Sequence, residues 1–519
     1  MALGVGRPLT IPRERGEWVA FSAASVVVLA AGAWPLATVA ADLGSADLDV
    51  LFAARTWGLF GITLVRTLAV VAGTLVIGVP LGLLLGRTDV AGRRAAQALH
   101  AFPAFVPPFL LALGWFHGFG RGGALGSEHT AALLFAEPGV VATLVLAFSP
   151  VVTVLVALAL EAIDPALEEA GLVVASPGRV AVRILLPIAR PAAALGAIIV
   201  FALAFGELGV PMFLRVPAYP AAVFARLGAT ATSTGEAFAL VLPLVGVAVG
   251  LIAIERGVGR RAEPVLGPRR ARGPLALSRW RVALSLFVWA AVGLGLVPLG
   301  LLALKAFPAI GALSTWIGDS LGNSLVPAAL AATAITALGA ILGWSLARRR
   351  PGTRLIDAAA TLAFVTPAAV LGVGLIATWN RPATAAMYAS TAILVVGYVA
   401  RYAVLGIRPV AALVAQSPRS FEDAAEISGA PWRRRFLRIV VPLHARRLGA
   451  VWLLALVFCL RDLEGAVLYY PAGGAPLTVL IFTLEANGPP AVVAGLSLLQ
   501  VAMTGAILAG AGLLLRRRA

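Results

Sequence analysis

The chain is short of charge, of cysteine and of histidine, and each shortage excludes a class of protein. Charged residues make up 13% of its 519 residues while apolar residues make up 60%, a balance outside the range of soluble globular domains. The one cysteine, Cys459, excludes an intrachain disulfide, and the four histidines lack the Cys/His spacing of a metal site. These absences predict a polytopic membrane protein with no bound cofactor.

Lysine is nearly absent as well, which bears on the source of energy. A phosphate-binding loop of the form GxxxxGK[ST] requires a lysine, and the only lysine, Lys305, stands in the apolar stretch LLALKAF. No serine or histidine lies in a nucleophile-elbow or zinc-protease pattern. We therefore expect no enzyme active site, and any energy from ATP must arrive through a partner.

The charge that is present is basic and unevenly placed. The formal net charge is +17, but the arginines cluster between apolar runs instead of covering a soluble surface, which argues against nucleic acid as a partner. Twelve runs reach the length of roughly 20 residues that is needed to cross about 30 Å of hydrocarbon. They are predicted near residues 19–41, 63–86, 99–119, 139–160, 192–212, 237–255, 282–304, 323–347, 357–378, 383–405, 448–470 and 491–514.

Arginines precede the first run and then follow every second run. This alternation is what the positive-inside rule requires, and it puts both termini on the cytoplasmic side. The first run also has features of a secretory signal, since arginines precede it and the small residues ATVAA end it. Its length and the topology favour a retained span.

The sequence repeats itself once. Residues 168–187 (EEAGLVVASPGRVAVRILLP) align without gaps with residues 423–442 (DAAEISGAPWRRRFLRIVVP). Similarity between segments this far apart indicates two homologous units. We predict two six-span halves, residues 1–262 and 263–519, joined through a linker rich in arginine, proline and glycine.

Each half carries a polar, helix-prone stretch after its fourth span, at residues 161–191 and 416–447. Each stretch begins with acidic residues and alanines that favour a helix, turns, and continues as a basic amphipathic segment that we expect to stop at Pro187 or Pro442. A helix lying on anionic lipid would have a similar composition. Two copies at equivalent positions favour docking elements for a partner with twofold symmetry.

The two stretches resemble the EAA loop in permease subunits of binding-protein-dependent ABC importers, a pattern of Glu-Ala-Ala, three residues, Gly and a hydrophobic stretch ending at Leu-Pro. The second copy matches well. The first has Val where the pattern has Gly, and since Val disfavours a positive φ, the first loop is expected to turn differently. The ATPase-coupling residues that this resemblance implies are Glu168, Glu169, Ala170, Val174 and Pro187 in the first loop, and Asp423, Ala424, Ala425, Gly429 and Pro442 in the second.

A second resemblance concerns the segment after the fifth span of each half. RDLEGAVLYYPAGGAPLTVLIFTLEANG (461–488), echoed by FGELGVPMFLRVPAYPAAVFARLGA (205–229), looks like the corresponding segment of fused permeases for ferric iron and thiamine. This resemblance makes ferric iron the first expectation for the substrate. Thiamine, a polyamine and a phosphonate are the alternatives.

The resemblances imply the type I ABC importer fold, an all-α polytopic membrane protein of about twelve helices in two six-helix halves related by pseudo-twofold symmetry. They imply two ATP-binding cassette subunits on the cytoplasmic side, a periplasmic or lipid-anchored substrate-binding protein, and membrane lipid as partners, in a bacterial cytoplasmic (inner) membrane. An ion-coupled secondary carrier can also have twelve spans in two halves, but it gives no reason for duplicated docking loops.

Few ionisable residues fall inside the predicted spans, and those residues are candidates for the translocation path. Glu207 and Glu464 are equivalent in the repeat, and pseudo-twofold symmetry would bring them together; Arg461 and Asp462 complete the candidate path. The alternative is a packing role, in which Arg461 pairs with Glu464 one helical turn away. Arg401 is expected near a span end, where its side chain can reach water.

Overall fold

The computed structural model describes residues 15–41, 49–227, 234–261 and 275–516. Within these ranges the regular structure is helical, apart from an isolated β-bridge between Thr88 and Leu275 and a further bridge residue, Ile163. The predicted boundary between the two halves, at residues 262 and 263, lies outside the described ranges.

The two halves contain the same series of helices. The first contains α1 (Arg15–Val39), α2 (Ala54–Arg87), α3 (Arg93–Phe105), α4 (Pro108–Phe119), α5 (Glu137–Glu161), α6 (Pro165–Val174), α7 (Pro177–Phe205), α8 (Gly209–Phe213), α9 (Tyr219–Leu227) and α10 (Thr234–Arg261). The second contains α11 (Arg281–Ala306), α12 (Ser320–Ala347), α13 (Thr353–Val365), α14 (Ala368–Trp379), α15 (Ala392–Ala415), α16 (Ser420–Ile427), α17 (Trp432–Leu460), α18 (Ala466–Tyr469), α19 (Leu477–Asn487) and α20 (Pro490–Arg516).

The described residues include ten continuous helices long and apolar enough to span a membrane, so the protein is a multi-pass membrane protein. These helices are α1, α2, α5, α7, α10, α11, α12, α15, α17 and α20. Two further crossings are bent pairs, α3 with α4 and α13 with α14. The all-α fold with about twelve membrane helices is thereby confirmed.

The bends correct two of the predicted spans. The runs 99–119 and 357–378 were each expected to be one straight helix, but the axes of the paired helices differ by 101° and 110°. Val106 and Thr366 are extended at the breaks, with ψ angles of 141° and 129°. Each of these residues precedes a proline, whose ring disfavours helical backbone in the residue before it.

The prolines at the ends of the polar stretches do not stop their helices, contrary to expectation. A π turn lies immediately before each proline segment, at Ala181–Leu185 and at Phe436–Val440, and the chain then continues helically through Pro187 and Pro442. A π turn shifts the hydrogen-bond register locally, so the helix continues through each proline. The second part of each polar stretch and the fifth span therefore form one continuous rod, α7 or α17.

The first helix of each half packs on the other half. Helix α1 lies against α12 to α15 of the second half. Helix α11 lies against α3 and α4 of the first half and also against α20 of its own half. Both contacts are close at a glycine: a Cβ on Gly114 would lie 2.2 Å from the carbonyl oxygen of Pro298, and one on Gly374 would lie 2.5 Å from that of Pro35. The same glycine-to-backbone contact therefore occurs twice, as pseudo-twofold symmetry requires.

Candidate functional site

A small cavity lies between the two halves, where α7 and α17 end. Its volume is about 40 Å³, and its apolar walls include Pro107, Phe109, Phe148 and Phe458. The charged residues that line it are Glu207, Arg401, Arg461, Asp462 and Glu464. This space, called the central cavity below, brings together the four residues predicted to form the translocation path and adds Arg401 to them.

Arg401 was expected near a span end, and that expectation is wrong. It lies within α15 and is only 8% exposed. One guanidinium nitrogen donates to Asp462 Oδ1 at 2.7 Å and another donates to Glu464 Oε2 at 2.6 Å. Two acidic residues so close in sequence require a neutralising cation when they are buried, so Asp462 and Glu464 were the signal from which a buried arginine could have been predicted.

Arg461 does not form the ion pair with Glu464 that the alternative packing role requires. Helix α17 ends at Leu460, so the chain between these two residues no longer has the helical spacing that the pairing needs. Arg461 instead donates to the backbone carbonyl of Ala104, next to the bend between α3 and α4. Its guanidinium also lies 5.3 Å from the ring centre of Phe458. Arg461 thus links the second half to the bent pair of the first half.

Glu207 follows the end of α7 and faces the second half. Its Oε1 accepts the backbone N–H of Val210, at the start of α8, at 3.1 Å. Its side chain lines the central cavity together with those of Glu464 and Arg461. The two glutamates predicted to meet on the pseudo-twofold axis are therefore neighbours across the interface between the halves.

The charges of the central cavity are distributed asymmetrically. Four of the five charged residues belong to the second half. Helix α7 is followed by Gly206 where α17 is followed by Arg461, and the second half has two more residues before its glutamate, one of which is Asp462. The first half consequently contributes a largely apolar wall with Glu207 as its charged residue.

The first EAA-like loop, which contains α6, is tied to the end of α2 by a buried ion pair. Glu168, 2% exposed on α6, accepts hydrogen bonds from the guanidinium of Arg87, with Oε1 at 3.1 Å. Glu169 and Ala170 are exposed on the same helix. The loop is therefore held from its acidic end, while its remaining surface faces outward.

The second loop is tied in the same way, but by Glu422 instead of Asp423. Glu422 on α16 accepts from the guanidinium of Arg348 and, at 2.9 Å, from Nε1 of Trp344. Asp423, which the ungapped alignment pairs with Glu168, is exposed, as is Ala424, whereas Ala425 is partly buried. The ungapped alignment hides this equivalence because the turn after the first helix has two residues in the first loop and four in the second.

The two loops turn differently, as the missing glycine predicts. In the second loop Gly429 has φ of 76° and follows the end of α16. In the first loop Val174 is still helical, and the chain leaves α6 through Ala175 in an extended conformation. The valine is thus accommodated by one further helical residue instead of a left-handed turn.

Large apolar side chains are exposed at the ends of α6 and α16. Val173 and Val174 are 84% and 82% exposed at the end of α6, and Ile427 is 88% exposed at the end of α16. Phe421 on α16 is also exposed. Exposed apolar surface at equivalent positions of two short helices is typical of a protein interface.

Two comparisons with known proteins bear on this arrangement. Residues 78–262 match the family described as "Binding-protein-dependent transport system inner membrane component". Over 214 residues the chain is 32% identical to a probable molybdenum ABC transporter permease protein of Haloferax volcanii, and this alignment covers 41% of the chain and 77% of the relative. The family match includes the first coupling loop and Glu207.

Proposed function

Because the chain belongs to the family of binding-protein-dependent ABC importer permeases, we propose that it moves a small solute through the central cavity, between its two halves. The observation that carries this proposal is that the predicted path residues meet there, with Glu207 on one half and Glu464 on the other. At about 40 Å³ the cavity is too small for a hydrated solute, so the halves must separate there during transport.

The energy would come from two ATP-binding cassette subunits docked on α6 and α16. The exposed apolar tips of these helices support this role over a lipid contact, because each tip is anchored by an ion pair to a spanning helix. The rods α7 and α17 begin beside the docking helices and end at the central cavity. A displacement of either docking helix is therefore transmitted along one continuous helix to the path.

The coupling residues keep the roles proposed from the sequence, with Glu422 added as the counterpart of Glu168. The path residues Glu207, Arg461, Asp462 and Glu464 gain Arg401. The two permease domains, residues 1–262 and 263–519, together form one translocation unit. Their partner on the outer side would be a periplasmic or lipid-anchored substrate-binding protein.

The orientation proposed is a bacterial cytoplasmic membrane with both termini in the cytoplasm. Labelling of single cysteines in a Cys459→Ser background tests it at exposed positions. Gly178→Cys and Arg434→Cys should react only from the cytoplasm, and Glu128→Cys and Asn487→Cys only from outside. Labelling of Arg434→Cys from outside would overturn the orientation.

Ferric iron is the substrate that the segments after the fifth spans favour. The relative described as a molybdenum permease favours a second candidate, an oxyanion of molybdenum. Uptake of radioactive ferric iron and of radioactive molybdate, in cells with and without the intact gene, separates the two. Ferric uptake that disappears with the gene supports the first candidate, and loss of molybdate uptake alone would replace it with the second.

A further inference from the structure

The two exchanged first helices are held at their cytoplasmic ends by ion pairs of opposite polarity. Glu17 at the start of α1 pairs with Arg350 of the second half, whereas Arg281 at the start of α11 pairs with Asp89 of the first half. In each pair the helix from one half meets a loop residue of the other half. The polarity of the first pair is reversed in the second.

The two receiving residues occupy equivalent positions. Asp89 lies two residues after Arg87, and Arg350 lies two residues after Arg348. Arg87 and Arg348 make the corresponding ion pairs to the coupling helices. Counted from these arginines the two positions correspond, although the first loop has one more residue before its left-handed glycine, Gly92, than the second has before Gly352. The receiving loop of the first half is therefore acidic where that of the second half is basic.

Each receiving loop is built around its charged residue. Arg350 lies 4.6 Å from the ring centre of Trp344, and Glu17 is 5% exposed. Asp89 accepts the backbone N–H of Leu277 at 2.9 Å, and its side chain lies 3.5 Å from Arg281. These contacts fix the position of the charge that the incoming helix meets.

We propose that these loops are two interaction surfaces that sort the first helices by charge, so that each helix fits only the half opposite to its own. If α1 packed on its own half, Glu17 would face Asp89; if α11 did so, Arg281 would face Arg350. Like charges held together at a partly buried contact disfavour that arrangement. The reversed polarity thus disfavours packing of α1 and α11 on their own halves and favours packing on the opposite halves.

The discrimination matters most while the chain is being made. The first half is synthesised before the second, and domains tend to fold in that order. During this interval α1 has no second half to pack on, and the homologous surface of its own half is available. Repulsion between Glu17 and Asp89 keeps that surface free for α11.

The pairing can be read out with a cysteine pair between α1 and α14. The hydroxyl oxygens of Thr38 and Thr378 lie 2.9 Å apart across the exchanged contact. In full-length Cys459→Ser protein, Thr38→Cys with Thr378→Cys should form a disulfide, measured by mass spectrometry of the linked peptides. The yield of this disulfide in the membrane fraction is the measure of correct exchange.

Two sets of charge variants then test the sorting. Asp89→Arg with Arg350→Asp exchanges the receiving charges, and the disulfide yield should fall at least twofold. Adding Glu17→Arg and Arg281→Asp restores opposite charges in both pairs, and the yield should return to that of the parent. Arg94→Asp with Asp319→Arg, an exchange of the same net charge at exposed positions, is the control and should leave the yield unchanged.

The design remains decisive if the first variant is poorly folded. Recovery of folded protein and of the disulfide by the fourfold variant would still support charge sorting. An unchanged yield in the double variant would overturn the proposal. A fourfold variant as impaired as the double variant would overturn it too, since both ion pairs would then have been restored without effect.

Discussion

Arg401 and Glu464 are joined by a hydrogen bond of 2.6 Å between a guanidinium nitrogen and a carboxylate oxygen. The same guanidinium binds Asp462, so a single cation holds two acidic side chains of the second half in place. Glu464 in turn lines the central cavity together with Glu207 of the first half. Arg401 thereby positions the carboxylate that lies nearest the first half in the central cavity.

Removal of Arg401 should cost more stability than removal of Arg461. Arg401→Gln leaves two buried carboxylates without their cation, which typically costs about 3–5 kcal/mol. Arg461→Gln removes a hydrogen bond from a charged group to a neutral carbonyl, worth about 1.5–3 kcal/mol. Thermal unfolding in detergent should therefore give a lower midpoint for Arg401→Gln. We expect Asp462→Asn in the same chain to restore part of the stability that Arg401→Gln loses. An Arg461→Gln protein that is less stable than the Arg401→Gln protein would contradict this assignment.

Glu422 should matter more than Asp423 for coupling, although the resemblance to the EAA loop selects Asp423. Glu422→Lys places a cation beside Arg348 and removes the acceptor of the Trp344 indole, so the docking helix loses its anchor. Asp423→Lys changes an exposed residue. Co-purification of the ATP-binding subunit should fall several-fold for Glu422→Lys and much less for Asp423→Lys. Glu168→Lys should reduce co-purification about as much as Glu422→Lys. Equal losses of co-purification for Glu422→Lys and Asp423→Lys would contradict the anchoring role.

The two loop turns should respond in opposite ways to substitution. Gly429→Val forces a β-branched residue to φ of 76°, a strain of about 1–3 kcal/mol, and should reduce substrate-stimulated ATP hydrolysis strongly. Val174→Gly is placed at a helix end that does not use a left-handed turn, so hydrolysis should be largely retained. Circular dichroism of both proteins controls for folding. Loss of hydrolysis in Val174→Gly alone would mean that the exposed valine itself carries the contact.

Substitution of both glutamates distinguishes a role in the translocation path from a role in helix packing. If the cargo is a cation, Glu207→Gln with Glu464→Gln should reduce transport in reconstituted vesicles much more than it reduces basal ATP hydrolysis. The substitution preserves shape and removes both charges at the interface. A double variant that transports at the parent rate would assign both residues to packing and would weaken the case for ferric iron.

The parts of this structure that the sequence predicts are those encoded locally. Apolar length and arginine alternation predict the spans, and the repeat around residues 168–187 and 423–442 predicts both polar stretches. The acid-rich start of each stretch also predicts its first helix. Each of these signals is contained in a few dozen consecutive residues.

The parts that were missed depend on contacts between distant segments. From the sequence alone, Arg401 is interpreted as a residue near a span end whose side chain reaches water. Its acidic partner Asp462 lies 61 residues later and becomes apparent only when α15 is placed against the end of α17. Glu422 is recognised as the counterpart of Glu168 only through their arginine partners on α12 and α2. The bend at Val106 is the exception, because a residue before proline disfavours helical backbone and the sequence shows this Val-Pro pair. The pair was overlooked because it lies within a continuous apolar run.

The measurement that tests the central claim most directly is solute uptake by vesicles that contain the chain together with its co-purified ATP-binding subunit. The account predicts uptake that requires ATP, is unaffected by collapse of ion gradients, and is lost with Gly429→Val while the chain stays folded. Uptake by the chain alone, driven by an ion gradient with no ATP-binding subunit present, would contradict the account.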